Sequence, residues 1–137
     1  FWTLKYPGKV GLSLPADNNV VLIRLSEMYL NRAEAIYNGA TISGVTADSD
    51  LLKITSNRGA SPVSASSKTS FDERRKELAF EGHIFYDCAR NKKSITRVDY
   101  DGTDVNKNIP FPSYKWAMPI PKSEIDANAN MVQNENY

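Results

Sequence analysis

The sequence predicts a mainly helical domain, and three observations carry that expectation. Leu22, Leu25, Tyr29, Ala33 and Ile36 recur at three- and four-residue steps, the repeat of one helix face. Asp48 stands ahead of Leu51, Leu52 and Ile54 as a helix cap would. Ser70-Phe71-Asp72-Glu73 has the form of a capping box ahead of a further periodic run. The chain has 137 residues. Folding at that length buries roughly two thirds of the unfolded surface, enough for one sizeable core and little more.

Residues 1–19 carry Pro7, Gly8, Gly11 and Pro15, too much punctuation for a long helix, and read as a lead-in segment. A first helix is expected over residues 20–38, stopped by Gly39. Arg24, Glu27, Asn31 and Glu34 form a narrow polar stripe on it. Val21, Ile23, Leu30 and Tyr37 widen the apolar arc past half the circumference, so packing on more than one side is expected. After a loop around Gly44, a second helix runs from Asp48 to about residue 57, and Gly59 ends it. Residues 60–69, rich in Ser and holding Pro62, form a mobile connection that contributes no core.

A third helix starts at Ser70 and continues to about Arg90, with Phe71, Leu78, Ala79, Phe85, Tyr86 and Ala89 on one face and Gly82 permitting a kink. Asp101-Gly102 between residues 98–100 and 103–105 suggests a short hairpin. Residues 111–121 hold three prolines and three aromatics, which impose extended backbone and should wrap the segment over the helices. One helical turn is expected at 123–127, followed by an irregular, pinned tail in which Asn128, Asn130, Asn134 and Asn136 form turns.

Charge and composition exclude several functions. Lys and Arg total 17 against 16 for Asp and Glu, so no large positive field exists to attract a nucleic acid. The one cysteine, Cys88, can form no internal disulfide. No apolar run reaches the roughly 20 residues that cross a bilayer. The start at Phe1, with neither Met nor a signal-peptide pattern, suggests a piece of a longer protein.

Chemistry-bearing constellations give little. His83 and Cys88 lie five positions apart, on different sides of a helix, so Cys88 is read as a small packed residue. Glu77 with Glu81, and His83 with Asp87, share helical spacing, which reads as a solvated salt-bridge face and not a metal site or a catalytic carboxylate pair. The seven glycines form no phosphate-cradling motif. Acidic and basic residues from Asp72 to Glu77 are spaced for mutual pairing along the helix, while Arg75 and Arg32 are placed to meet carboxylates of neighbouring helices. No catalytic residue, metal or cofactor is therefore expected. Aromatic content of 10% suits carbohydrate recognition, in which a flat ring meets the apolar face of a sugar. Trp2, Tyr100, Tyr114 and Trp116 are the possible platforms, of which Trp2, Tyr114 and Trp116 are the ligand-binding candidates.

Three blocks carry a family resemblance. VLIRLSEMYLNRAEA at residues 21–35 resembles a recurrent helix of SusD/RagB-type nutrient-binding lipoproteins; ERRKELAFEGH at 73–83 with FYD at 85–87 is similar to that family's most recognisable stretch; and WAMPIP at 116–121, with Glu124-Ile125 and residues 128–137, matches its closing segment. Cys88 departs from the larger aliphatic residue common there, and Ala129 and Glu135-Asn136 replace the usual prolines and glycine. The resemblance implies a single C-terminal domain over residues 1–137, the N-terminal part being absent. It also implies a tetratricopeptide-repeat-like helical scaffold with irregular loops. Finally, it implies non-enzymatic capture of glycans or other nutrients at the outer-membrane surface, anchored by lipid on the missing part, for a SusC-like TonB-dependent transporter. The rival is a helical-repeat module that binds proteins, or the rest of its own chain, and no sugar. Removal of an N-terminal partner would expose an apolar patch beside Leu22, Leu30 and Tyr37.

Overall fold

A computed structural model of the chain describes residues 5–6 and 21–137. Trp2 and most of the expected lead-in segment, with Pro7, Gly8, Gly11 and Pro15, lie outside the described residues. The chain divides into two compact units, residues 1–84 and 85–137. Among the described residues there are six helices and one two-stranded sheet, the mainly helical architecture that the sequence predicts.

In the first unit, helix α1 spans Leu25–Tyr37, five residues shorter at its start than expected. Val21 and Ile23 are β-branched and lose rotamer freedom in a helix, and Arg24 is an extended N-cap (φ −139°, ψ 154°). Leu30 and Ala33 are the buried residues of α1, which packs against both α2 and a third helix as expected, while Leu25 and Tyr37 on it and Leu22 ahead of it stay exposed. The expected exposed patch thus includes Leu22 and Tyr37 but not Leu30.

Helix α2 (Ala47–Asn57) is capped by Thr46, not Asp48: Thr46 and Ser49 exchange side-chain and backbone hydrogen bonds of 3.1 Å each way. Asp48 instead accepts the backbone N–H of Ala65. Thr46→Ala is expected to lower stability by about 1 kcal/mol in urea unfolding, the usual worth of such a cap. Both helices end as the glycines predict. Gly39 (φ +105°) and Gly59 (φ +65°) turn the chain left-handed, and the following N–H returns to a carbonyl five residues back, Ala40 to Ala35 and Ala60 to Thr55, both at 2.9 Å.

Helix α3 covers Ser67–Glu77 and is capped by Ser66, whose hydroxyl accepts the Thr69 N–H at 3.0 Å. The serine-rich connection therefore supplies the cap, and Ser70, the expected cap, is buried inside the helix. The connection also contributes Val63 and Ala65, packed against the core of Leu30, Ala33, Ala47, Leu51, Ile54 and Leu78.

The long helix expected through Arg90 is two. Phe80 (φ +66°) and Gly82 (φ +80°) break it, and helix α4 begins afresh as His83–Arg90. Carbonyls freed by the break find distant donors. Lys5 Nζ donates to the Glu77 and Ala79 carbonyls at 2.8 Å each, and the Tyr6 hydroxyl donates to Phe80 O at 3.0 Å. Placing cations at the end of α3 also complements the negative end of its dipole.

The boundary between the units falls in the first turn of α4. In the second unit, β1 (Ile95–Thr96) pairs antiparallel with β2 (Asn108–Ile109), Ile95 opposite Ile109. The pairing lies outside the expected hairpin strands because Val98 and Val105 find no apolar cover and stay exposed, while Ile109 is buried. The four-residue helix α5 (Asp104–Lys107) occupies the turn. A 3-10 turn at Tyr114–Trp116 and helix α6 (Lys122–Ala127) complete the unit. The tail is pinned as expected: Gln133 grips the N–H and C=O of Ile120 at 2.8 and 2.9 Å, and Asn134 donates to Met118 O.

Candidate functional site

Two constellations stand out, one in each unit. In the first, Glu77 and Glu81 are not a solvated face: their side chains are 6% and 13% exposed. Arg58 grips Glu77 with two hydrogen bonds, Nε at 2.9 Å and Nη2 at 2.7 Å. Arg24 spans both carboxylates, Nη1 reaching Glu77 and Nε reaching Glu81 at 2.8 Å, and Lys5 pairs with Glu81. The Arg58 bonds hold the Glu77 carboxyl at about 2, well below the ordinary 4.5, overcoming the burial that pushes it up; Arg24 and Ser26 add to the effect. Burial likewise raises Glu81, but bonds from Arg24 and Lys5 outweigh it and the net direction is down. Such carboxylates stay ionised near neutral pH and neither give nor take protons there. Their chemistry is that of a fastener.

Clefts of about 500 and 310 Å³ flank this cluster, the larger lined by Lys5, Thr55, Arg58, Glu73, Lys76 and Glu77. Its cations are already paired, Lys76 with Glu73 at 2.6 Å and Arg58 with Glu77. Each cation of this cleft thus already has a carboxylate partner, Lys5 having Glu81. The predicted partner for Arg32 is real: its Nε and Nη2 hold buried Asp50 at 2.7 Å each. For Arg75 the expectation fails. Arg75 is exposed and Arg74 is buried, donating to Asn31 Oδ1 at 2.6 Å and lying 3.5 Å from Glu27. The break after Leu78 removes Phe85 from the helix face on which Arg75 was placed. Cys88 is buried, as read from the sequence, and no metal-holding group of three or more His, Cys, Asp or Glu occurs among the described residues.

The second constellation is aromatic. The Trp116 ring lies 5.0 Å from Phe85 and 5.8 Å from Phe111, and its Nε1 donates to Pro110 O at 2.7 Å. Tyr114, three-sevenths exposed, meets Tyr137 edge-to-face at 5.2 Å and 80°. Tyr100 sits beneath the Arg97 guanidinium at 5.3 Å. Thus Tyr114 and Trp116 share one turn, and Trp2 lies outside the described residues. Tyr137 is not among the aromatic candidates drawn from the sequence; its one signal is an aromatic ring directly after the polar run 133–136.

The sequence profile of the SusD family matches residues 11–137. The chain belongs to the SusD family. It is 33% identical over 124 residues to the starch-binding protein SusD of Bacteroides thetaiotaomicron, an alignment covering 88% of this chain and 22% of that protein. The crystal structure of a SusD superfamily protein from the same species superposes with a TM-score of 0.77 at 38% identity, covering 96% of this chain and 31% of that one. Surface glycan-binding protein A, also from B. thetaiotaomicron, gives 0.72 at 31% identity, with 89% and 26% covered. The chain therefore spans about a fifth of the length of its curated relative and under a third of these solved ones. The mainly helical, SusD-like fold is common to them.

Proposed function

We propose that this chain is the C-terminal scaffold of a non-catalytic, surface-exposed glycan-capturing protein. The observation that carries the reading is 33% identity, over 88% of the chain, to a protein named for starch binding. In this reading the parent is held at the outer membrane by a lipid anchor outside these residues and passes its glycan to a SusC-like TonB-dependent transporter. Residues 1–137 act as one domain, whose packed ion pairs and helix caps hold the loops, and the aromatic side chains Trp2, Tyr114 and Trp116 are its candidate sugar contacts. Rigid placement of such rings lowers the ordering cost of binding a flexible oligosaccharide.

A second reading, protein interaction without sugar, is favoured by the apolar strip of Val21, Leu22, Ile23 and Leu25, all more than 60% exposed. Calorimetry of the full gene product and of this chain against bacterial and host glycans separates the two. Saturable binding is expected for the gene product. Absence of binding across the panel, with concentration-dependent association in sedimentation, would replace glycan capture with the interaction reading.

A further inference from the structure

Trp116, the ring that sequence makes most prominent in the closing segment, is half-buried and anchored by its neighbours. Phe85 and Phe111 lie against it, and its one N–H is spent on Pro110 O. Neighbouring Tyr114 is different: it is 43% exposed, and its edge-to-face partner Tyr137 is 48% exposed. Burial within these 137 residues therefore does not explain why two large rings are held together.

Their support is extensive on both sides. Tyr114 opens a 3-10 turn in which Trp116 N–H returns to Ser113 O at 3.2 Å and Ala117 N–H to Tyr114 O at 3.0 Å. The next residue, Lys115, spends its ammonium on Val105 O at 2.7 Å and Asn106 Oδ1 at 3.2 Å. Tyr137 is secured through its hydroxyl, which donates to Ala117 O at 2.8 Å, and through the Gln133 and Asn134 bonds that pin the tail to Ile120 and Met118. Two perpendicular rings thus form a preformed corner, with exposed Asn136 and Glu135 beside it.

We propose that Tyr114 and Tyr137 form a stacking subsite for one pyranose ring of a glycan chain. The C–H face of a pyranose is flat, weakly apolar and about the size of a phenol ring, so it lies against an exposed tyrosine face, while its rim of hydroxyls stays in contact with water and neighbouring polar groups. A corner of two rings fixes the sugar's orientation as well as its position, and the pinned tail prepays the ordering cost. A solvent-exposed subsite of this kind discriminates by ring shape and not by a dense hydrogen-bond set. It therefore suits internal residues of a polymer better than a chain end. The subsite rests on the glycan-capture reading and specifies where in this chain part of the contact is made.

The test uses the full gene product titrated calorimetrically with defined hexasaccharides of α-glucan, β-glucan, xylan and mannan. The tightest of these is then titrated into Tyr114→Ala, Tyr114→Phe and Tyr137→Phe. Tyr114→Ala is expected to weaken binding about tenfold, the scale of losing one well-placed aromatic contact. Tyr114→Phe keeps the ring and is expected to lose less affinity than Tyr114→Ala, whereas Tyr137→Phe gives up the hydroxyl bond to Ala117 O that secures the second ring and is expected to weaken binding about twofold. Unchanged binding by Tyr114→Ala, with the parent binding normally, overturns the subsite and leaves glycan capture standing. Failure of the parent to bind any of the four overturns both. Tyr114→Phe behaving like Tyr114→Ala would assign the loss to the hydroxyl and overturn stacking.

Discussion

Glu77→Ala is expected to destabilise the helical unit by about 3 kcal/mol, read as a lower urea midpoint at unchanged m-value. The carboxylate ties together three elements that sequence separates widely: Arg24 at the entry to α1, Arg58 at the end of α2, and the end of α3 itself. Its removal takes one of two carboxylate partners from the Arg24 guanidinium, 21% exposed, and leaves it close to a second guanidinium on Arg58. Burial opposes the charge on Arg24 and its bonds to Glu81 and Glu77 restore it, so the Glu77 part of that support would go. The surviving Arg24–Glu81 bond, and the 62% exposure of Arg58, place the expected loss at the lower end of the range for breaking a buried pair. Glu77→Gln, which keeps shape and loses charge, should fall between the two. A loss below about 1 kcal/mol would mean that the cluster behaves as ordinary screened surface pairs.

The same carboxylate gives stability a pH dependence of definite sign. Glu77 sits at about 2 in the folded chain and near 4.5 when unfolded. Its contribution is therefore complete above about pH 4.5 and is lost as pH falls toward 2. A shift of that size corresponds to about 3 kcal/mol if fully desolvated, and to about 1–2 kcal/mol once water around Arg58 is allowed for. Urea midpoints recorded from pH 6 to pH 2 should fall more steeply for the parent than for Glu77→Gln.

Helix ends were legible because their chemistry is local. Gly39 and Gly59 stop α1 and α2 where the sequence says, since a left-handed residue and two returning hydrogen bonds need nothing from the rest of the chain. Starts were less legible. Thr46 and Ser66 each outcompeted an equally acceptable capping residue two to four positions later, Asp48 and Ser70, and the choice turned on what else those residues could bond. The break between α3 and α4 was illegible for a stronger reason. Phe80 is held left-handed beside carbonyls whose donors, Lys5 and Tyr6, lie more than 70 positions away. The buried cation is Arg74 and not Arg75 because α3 turns Ser70, Glu73, Arg74 and Glu77 inward, a face that a periodicity drawn through Phe85 misplaces. At the aromatic turn, the proline-flanked tryptophan was read as a possible platform, yet an indole N–H within reach of a carbonyl is readily drawn into the fold. Tyr137 carried no periodic signal, because an irregular tail has no face to which a residue can be assigned.

Adjacent leucines in α2 should part company by severalfold. Leu51 is fully buried in the cluster formed with Leu30, Ala33 and Leu78, whereas Leu52, one residue and 100° further round, is 46% exposed. Leu51→Ala removes three carbons from a site walled by α1, α2 and the end of α3, and rigid walls leave most of that volume empty, so a loss of about 3–4 kcal/mol is expected. Leu52→Ala removes the same atoms from a side chain already half in water. It gains helix propensity in return, so the change should stay within about 0.5 kcal/mol. Urea unfolding of the two single variants and the double measures both, and the double should equal Leu51→Ala alone. Similar losses at both positions would mean that something covers the outer face of α2 in solution, and would give the protein-interaction reading a second apolar surface beside the strip that precedes α1.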